Sequence, residues 1–528
     1  MIQQIVVCAM LIAGPAAAAT CESLAGLKLP NTSITAAQAV EAGAFKPPGA
    51  APAATALATY KALPGFCRVQ GLIQPSSDSH IEFEVWLPAS GWNGKYLGVG
   101  NGGFAGSIIY TGGPAGNTPG LAQALATGYA GSSTDTGHKG GGTDAKWALG
   151  HPEKIVDYGY RAVHLTAEQS KAIIRAFYGE APKHSYFSSC SNGGREALME
   201  AQKFPADYDG IIAGAPADSF THILAAFTLD IQATEADPAT YIAAAKLPAI
   251  ESAVLSTCDA LDGLKDGVID DPRKCHFDPG TLLCKGAESD GCLTQVQVAA
   301  LKKIYAGART SKGEQIYPGY QPGGETGPGG WTAWFTGTGP GKGLQYAFST
   351  QGGAYLIFQN ANWDYRAFNP SRDVKIADET MGQRLNATDP NLKEFKNRGG
   401  KLVLYHGWSD AALAPTGTID YYNSVSSKMG RKEADGFTRL YMVPGMQHCS
   451  GGPGPNSFRV PMTVALEQWV EQSSAPEKII ATKFKTDGNP ASGVARTRPL
   501  CPYPQVAQYS GSGSIDDAAN FSCVVPKQ

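Results

Sequence analysis

The chain has 528 residues, several times the ~100–200 of a single domain, so a large core and at least one further domain are expected. Charged residues make up 17% and apolar residues 43%, with 64 Gly and 35 Pro, a loop-rich globular balance that excludes the disordered and fibrous classes. The 43 basic and 46 acidic residues give a formal charge of −3 with no basic run, so nothing recruits nucleic acid or an anionic membrane; a small neutral or weakly polar partner is expected.

The first residues, MIQQIVVCAMLIAGPAAAAT, form an apolar stretch ending in small residues, the pattern of a secretory signal peptide with cleavage near Ala18 or Ala19. The n-region lacks Lys and Arg, and the run falls short of the ~20 apolar residues of a bilayer span. Of 11 cysteines, removal of Cys8 with the signal leaves an even set, as expected of a protein that forms disulfides in an oxidising compartment. A secreted or periplasmic location follows from the two features together.

From Tyr96, YLGVGNGGFAG reads as a short strand entering a glycine-rich loop, whose bare backbone N–H groups can face a cavity. HSYFSSC, His184 to Cys190, reads as a strand, and REALMEAQKF after Ser191-Asn-Gly-Gly as a helix. YDGIIAGAPA, KLVLYHGWSD and RLYMVPGMQHC supply further buried strands, and their alternation with helices predicts a mostly parallel sheet. Between these strands the character changes to alanine-rich helices, four clustered cysteines and a Gly/Pro/Trp-rich tract from Tyr317 to Gly353. The predicted organisation is a signal peptide at 1–19, a core in two segments at 20–217 and 398–528, and an inserted lid domain at 218–397.

A serine hydroxyl needs a base within hydrogen-bond reach and a sharp turn that lifts it from the sheet. Ser189-Cys190-Ser191-Asn192-Gly193 matches G-x-S-x-G with Ser in the first Gly position. Asp410 follows the strand KLVLYHG, and His448 closes the strand-like RLYMVPGMQ, so an acid and an imidazole stand at strand ends. The order Ser191, Asp410, His448 is the one expected of an α/β-hydrolase, here with a large inserted lid domain. Asn192, by the residue-after-nucleophile rule, and Gly103 or its neighbour Gly102 are candidate oxyanion donors. His406, four residues before Asp410, is a candidate substrate contact, with a core histidine the equal alternative. Cys190 precedes the serine and Cys449 follows the histidine; if bonded, they would hold both side chains together, although sequence leaves each free to pair elsewhere. CDALDGLKDGVIDDP places Asp259, Asp262 and Asp266 among glycines, a set of hard oxygens suited to Ca²⁺ or equally an acidic solvated turn.

Cys-Ser-Asn-Gly-Gly-Arg at Cys190, Gly-Trp-Ser-Asp at Gly407 and His-Cys at His448 resemble the tannase and feruloyl esterase family, which also includes mono(2-hydroxyethyl) terephthalate hydrolases. The resemblance implies a serine esterase and the bridges Cys21–Cys67, Cys190–Cys449, Cys258–Cys275, Cys284–Cys292 and Cys501–Cys523. It also supports Gly103 as oxyanion donor and implies a structural Ca²⁺ held by Asp259, Asp262 and Asp266 with the carbonyls of Leu264 and Val268. The substrate expected is a small aromatic ester, free or attached to plant polysaccharide or polyphenol. Feruloyl-type esters rank first and gallate esters second. Terephthalate monoesters rank third, the order following the breadth of the family and no residue here; Asn192, where an acidic residue is expected in those hydrolases, counts further against them. Trp331, Trp334, Phe335, Tyr346, Phe348, Tyr355 and Phe358 crowd the later lid, most as its core and some as acyl-pocket wall. A calcium-stabilised binding module with an inactive triad, a peptidase and a lipase are the competing classes.

Overall fold

A computed structural model describes residues 20–49, 52–112 and 117–526, so the expected signal peptide lies outside the described residues. Strands β1 (Thr32–Val40), β2 (Phe66–Ile73), β3 (Ile81–Pro88), β4 (Lys95–Val99), β5 (Ala130–Thr134), β6 (His184–Cys190) and β7 (Gly210–Gly214) precede the insertion. The insertion carries the small hairpin β8 (Ala308–Arg309) and β9 (Gln315–Tyr317), after which β10 (Lys401–Gly407) and β11 (Thr438–Val443) return to the main sheet. Four short strands follow as two hairpins, β12 (Ile479–Phe484) with β13 (Val494–Leu500) and β14 (Val506–Tyr509) with β15 (Phe521–Val524).

The main sheet has nine strands in the order β1-β2-β3-β5-β4-β6-β7-β10-β11. Its first four are paired antiparallel, and every pairing from β5 to β11 is parallel. A parallel sheet is covered on both faces, which is why β6, β7 and β10 are buried along nearly their whole length without alternation. On one face Ile173, Ile174, Leu198, Met199 and Ile419 of three helices pack against Phe187, Leu402 and Leu404. On the other, Met462, Leu466 and Trp469 of helix Arg459–Gln472 pack against Tyr186, Ile212 and Val403. This is the α/β-hydrolase architecture, with the carboxyl ends of β4, β6, β10 and β11 along one edge, where open α/β sheets bind ligands.

The segment between β7 and β10 builds a core of its own from Leu247, Ile250, Val254, Leu301, Ile304, Trp331 and Phe335. A second cluster, with Phe220, Leu224 and Phe227 of helix Phe220–Glu235, joins it to Phe104 and Leu413 at the carboxyl edge of the sheet. Ala387, Leu392 and Phe395 instead pack with Met199 and Leu402 of the catalytic layer. Packing therefore passes back to the core before the boundary expected at 398. Among the described residues no helix is long and apolar enough to cross a membrane.

All five expected disulfides form. Cys190–Cys449 bridges the end of β6 to the loop after β11 across 259 residues of chain, with Cα atoms 6.0 Å apart. Closing so long a loop restricts the unfolded chain most, so the double substitution Cys190→Ser with Cys449→Ser should cost about 2–5 kcal/mol in chemical denaturation. A loss below about 0.5 kcal/mol, within the range of an ordinary surface substitution, contradicts this.

Candidate active site

Ser191 joins β6 to helix Asn192–Lys203 at φ 66° and ψ −125°, a conformation that L side chains rarely adopt. The chain turns there because strand and helix approach closely: a Cβ at Gly193 would lie 1.9 Å from Ser189 Oγ and 2.8 Å from the Asn101 carbonyl. Ser189 takes the place of the usual first glycine because the chain opposite is bare. A Cβ at Gly100 would come within 2.8 Å of the Ser189 Cβ. The small residue has moved from one strand to its neighbour.

The turn presents Ser191 Oγ 2.9 Å from His448 Nε2, and His448 Nδ1 stands 2.8 Å from Asp410 Oδ2. Asp410 is fully buried, and its other oxygen accepts the N–H groups of Ala412 (2.7 Å) and Leu413 (2.9 Å). Burial alone would raise this carboxyl, but the charge of His448 and hydrogen bonds from His406 and His448 hold it well below the usual carboxylate range. Of the two roles open to His406, the structure gives the core histidine, away from the cavity beside Ser191. It is 1% exposed, its Nδ1 meets Thr418 Oγ1 at 2.7 Å and its Nε2 meets Asp410 Oδ2 at 3.1 Å, so it braces the acid from behind. The four-residue spacing carried it there, since both residues lie at the carboxyl end of β10 and the chain folds back after Gly407.

Gly103 and Asn192 border the same cavity as Ser191, and Gly102 does not. Their N–H groups belong to two different elements, the loop after β4 and the first turn of the helix. Three residues not singled out from sequence join those elements. The Tyr158 hydroxyl lies 3.0 Å from the Gly103 carbonyl and 2.9 Å from Asn192 Oδ1. Arg195, with no exposed surface, donates to Asn192 Oδ1 and to the carbonyls of Tyr158 and Gly159. Glu196 accepts the Asn101 N–H at 2.9 Å and Asn192 Nδ2 at 3.0 Å; burial pushes its carboxyl up to about 7 although Arg195 and both hydrogen bonds favour the charged form. The Arg-Glu that follows Asn-Gly-Gly was the available signal, since charges on the inner face of a helix need buried partners.

The cavity beside Ser191 is walled by Phe104, Phe220, Leu224, Phe227, Trp334 and Phe348. Trp334 also meets His448 edge to face, with ring centroids 5.0 Å apart. Of the lid aromatics named above, Trp334 and Phe348 reach this wall, while Trp331 and Phe335 lie in the lid core. Helix Phe220–Glu235 supplies the largest share of the wall and gave no motif, because its apolar residues read as ordinary helix core. Chemically, the arrangement joins a strained hydroxyl to an imidazole held by a buried carboxylate, beside an apolar slot that Gly103 and Asn192 border.

The acidic segment folds as a tight turn on the lid. Asp259 Oδ1 accepts from Asp266 N (3.3 Å) and Gly267 N (3.0 Å), and Asp262 Oδ1 from Leu264 N (2.9 Å). Asp266 Oδ1 accepts from Val268 N, while its Oδ2 meets Arg496 Nη1 at 2.9 Å and Arg498 Nη2 at 2.8 Å. The neighbouring Asp270 adds a buried oxygen, Oδ1, that has no hydrogen bond and lies 3.6 Å from Arg498 Nη1. Four carboxylates against two guanidinium groups leave a net negative, oxygen-rich turn, hard oxygen donors of the kind a divalent cation takes, although no three of the carboxylates bring ligand atoms within 4.8 Å of one another. Among the described residues, only His164, Glu200 and Asp207 bring three acidic or imidazole ligand atoms within 4.8 Å of one another. There the Lys171 ammonium, 3.8 Å from Asp207, already supplies positive charge.

Comparison with known proteins gives the family of the chain. A family model described as tannase and feruloyl esterase matches residues 67–524. An uncharacterized esterase of Xanthomonas campestris is 43% identical, covering 97% of this chain and 92% of its own. A mono(2-hydroxyethyl) terephthalate hydrolase of Piscinibacter sakaiensis is 37% identical over 97% and 92%. The crystal structure of feruloyl esterase B from Aspergillus oryzae superposes with a TM-score of 0.84 at 28% identity, covering 96% of this chain and 99% of that one. The chain belongs to the tannase and feruloyl esterase family and is a carboxylic ester hydrolase.

Proposed function

We propose that this chain is a secreted serine esterase that cleaves esters of aromatic, hydroxycinnamic (feruloyl-type) acids through an acyl-enzyme on Ser191. The observation that carries the reading is the hydrogen-bonded line Ser191–His448–Asp410 opening onto an aromatic-walled slot. Five disulfides support assembly in an oxidising compartment.

Ser191 Oγ attacks the ester carbonyl as its proton passes to His448 Nε2. The Nδ1–H of the resulting imidazolium is held by Asp410, whose buried and fully bonded carboxylate fixes the tautomer. The N–H groups of Asn192 and Gly103 receive the charge that develops on the carbonyl oxygen. Collapse expels the alcohol with the proton from His448, and water, deprotonated by the same imidazole, releases the acid.

The slot wall ranks the acyl groups. Its lining side chains other than Ser191 and Asn192 are apolar, and the Asn192 amide is bonded away from the cavity to Tyr158, Arg195 and Glu196. A cinnamoyl ring is desolvated there at small cost. The three hydroxyls of a galloyl group would lose water without compensation, and the free carboxylate of a terephthalate monoester would lose more. The acidic turn is proposed to hold one Ca²⁺ through Asp259, Asp262 and Asp266 with the carbonyls of Leu264 and Val268, stabilising the lid against the first C-terminal hairpin, from which Arg496 and Arg498 reach it.

On a panel of methyl ferulate, methyl gallate and mono(2-hydroxyethyl) terephthalate, kcat/KM is expected to fall in that order. A preference for the terephthalate monoester contradicts the reading of the slot. Ser191→Ala should lower kcat by at least about 10³-fold and Asp410→Asn by about 10²–10⁴-fold, with the fold intact by circular dichroism. Chelation by EDTA should lower Tm, Ca²⁺ should restore it, and Asp262→Asn should remove the difference. An unchanged Tm on chelation argues against the metal.

A further inference from the structure

Taken with the esterase reading, on which it rests, the geometry points to Tyr158 and Glu196 as positioning residues. Acting through the Asn192 amide, they set the spacing between the two backbone donors of the oxyanion hole. Those donors sit on separate elements, the loop after β4 and the helix after Ser191, and no covalent bond near the site joins the two. What joins them is a ring of hydrogen bonds. The Tyr158 hydroxyl shares its one hydrogen between the Gly103 carbonyl (3.0 Å) and Asn192 Oδ1 (2.9 Å), and the ring continues from Asn192 Nδ2 to Glu196 (3.0 Å), which accepts the N–H of Asn101 (2.9 Å), two residues before Gly103. Asn101 extends the ring into the sheet, since its amide donates to the carbonyls of Ser107 (2.8 Å) and Thr134 (3.0 Å).

Each member is placed at a structural cost, which argues against incidental contact. Tyr158 stands in a π-helical turn, Asp157–Arg161, that interrupts the helical run between Pro152–Val156 and Ala162–Tyr178. Such turns are rare, and they collect at functional sites. Arg195 is buried without exposed surface and donates to the Tyr158 and Gly159 carbonyls of that turn as well as to Asn192, locking the irregular turn to the nucleophile helix. The Tyr158 ring is also fully buried, with the Arg195 guanidinium 4.8 Å from its centre. The Asn192 amide is used at both ends, accepting at Oδ1 and donating at Nδ2. A carboxylate at this position can serve Tyr158 and Arg195 but has no hydrogen for Glu196. An acid at position 192 therefore demands a donor at position 196.

Tyr158→Phe keeps the packed ring and removes the link. With methyl ferulate as substrate, kcat should fall at least 10-fold while KM changes less than 2-fold. Affinity for an aryl boronic acid, which forms a tetrahedral adduct on the serine, should fall by a similar factor to kcat. A Tyr158→Phe protein that folds and keeps kcat within 2-fold overturns the proposal, as does one with lowered Tm and unchanged kcat. If that variant fails to fold, the charge swap decides. Asn192→Asp should lose at least 10-fold in kcat, and adding Glu196→Gln should recover at least 5-fold by restoring one donor against one acceptor. Absence of recovery in a folded double variant overturns the proposal. Failure of the wild type to hydrolyse any ester would instead sink the esterase reading.

Discussion

The backbone at Ser191 is the constraint from which the rest of the site follows. A serine held at φ 66° and ψ −125° is strained by itself, and it persists only because the strand before it and the helix after it leave no other path. That crowding dictates glycine at 193, a small residue at 189 and a bare chain at 100. It also starts the helix at the cavity, which Asn192 borders. Once the hydroxyl stands clear of the sheet, the parallel strand order does the remaining placement. β10 and β11 lie successively beyond β7, so an acid after one and an imidazole after the other fall into line with the serine.

Over this edge the insertion contributes chemistry of the opposite kind. The sheet side provides polar and titratable groups, each with its partner, whereas the lid side provides Phe220, Phe227, Trp334 and Phe348. Excluding water from the slot strengthens every electrostatic interaction beside it. The Cys190–Cys449 bridge keeps the two polar strands of that edge together covalently, while the apolar cluster of Phe104, Leu224 and Leu413 seats the lid on them.

Much of this was legible in the sequence because it is local. Strand, Ser-Asn-Gly-Gly and helix are contiguous, and buried parallel strands announce themselves as unbroken apolar runs, so the order Ser191, Asp410, His448 could be read directly. Contacts that depend on where the chain returns were not. Four residues of spacing from Asp410 do not say which side of the acid His406 takes, and only the fold-back after β10 puts it behind. Helix Phe220–Glu235 looks like any buried amphipathic helix, and its role as slot wall comes from its position between core and lid. Tyr158 carries no motif at all, because its place depends on a local π-helical turn. Arg496 and Arg498 reach the acidic turn from β13 of the first C-terminal hairpin, about 230 residues away in sequence.

The central claim is that Ser191 carries the acyl group. Its most direct test is acid quenching during turnover of a slow-deacylating aryl ester, followed by peptide mass mapping. The account predicts an acyl adduct on the peptide bearing Ser191, formed and lost at rates consistent with turnover and absent in Ser191→Ala. Steady turnover of such an ester by the wild-type protein with no covalent adduct after quenching, or an adduct on a different residue, would contradict it.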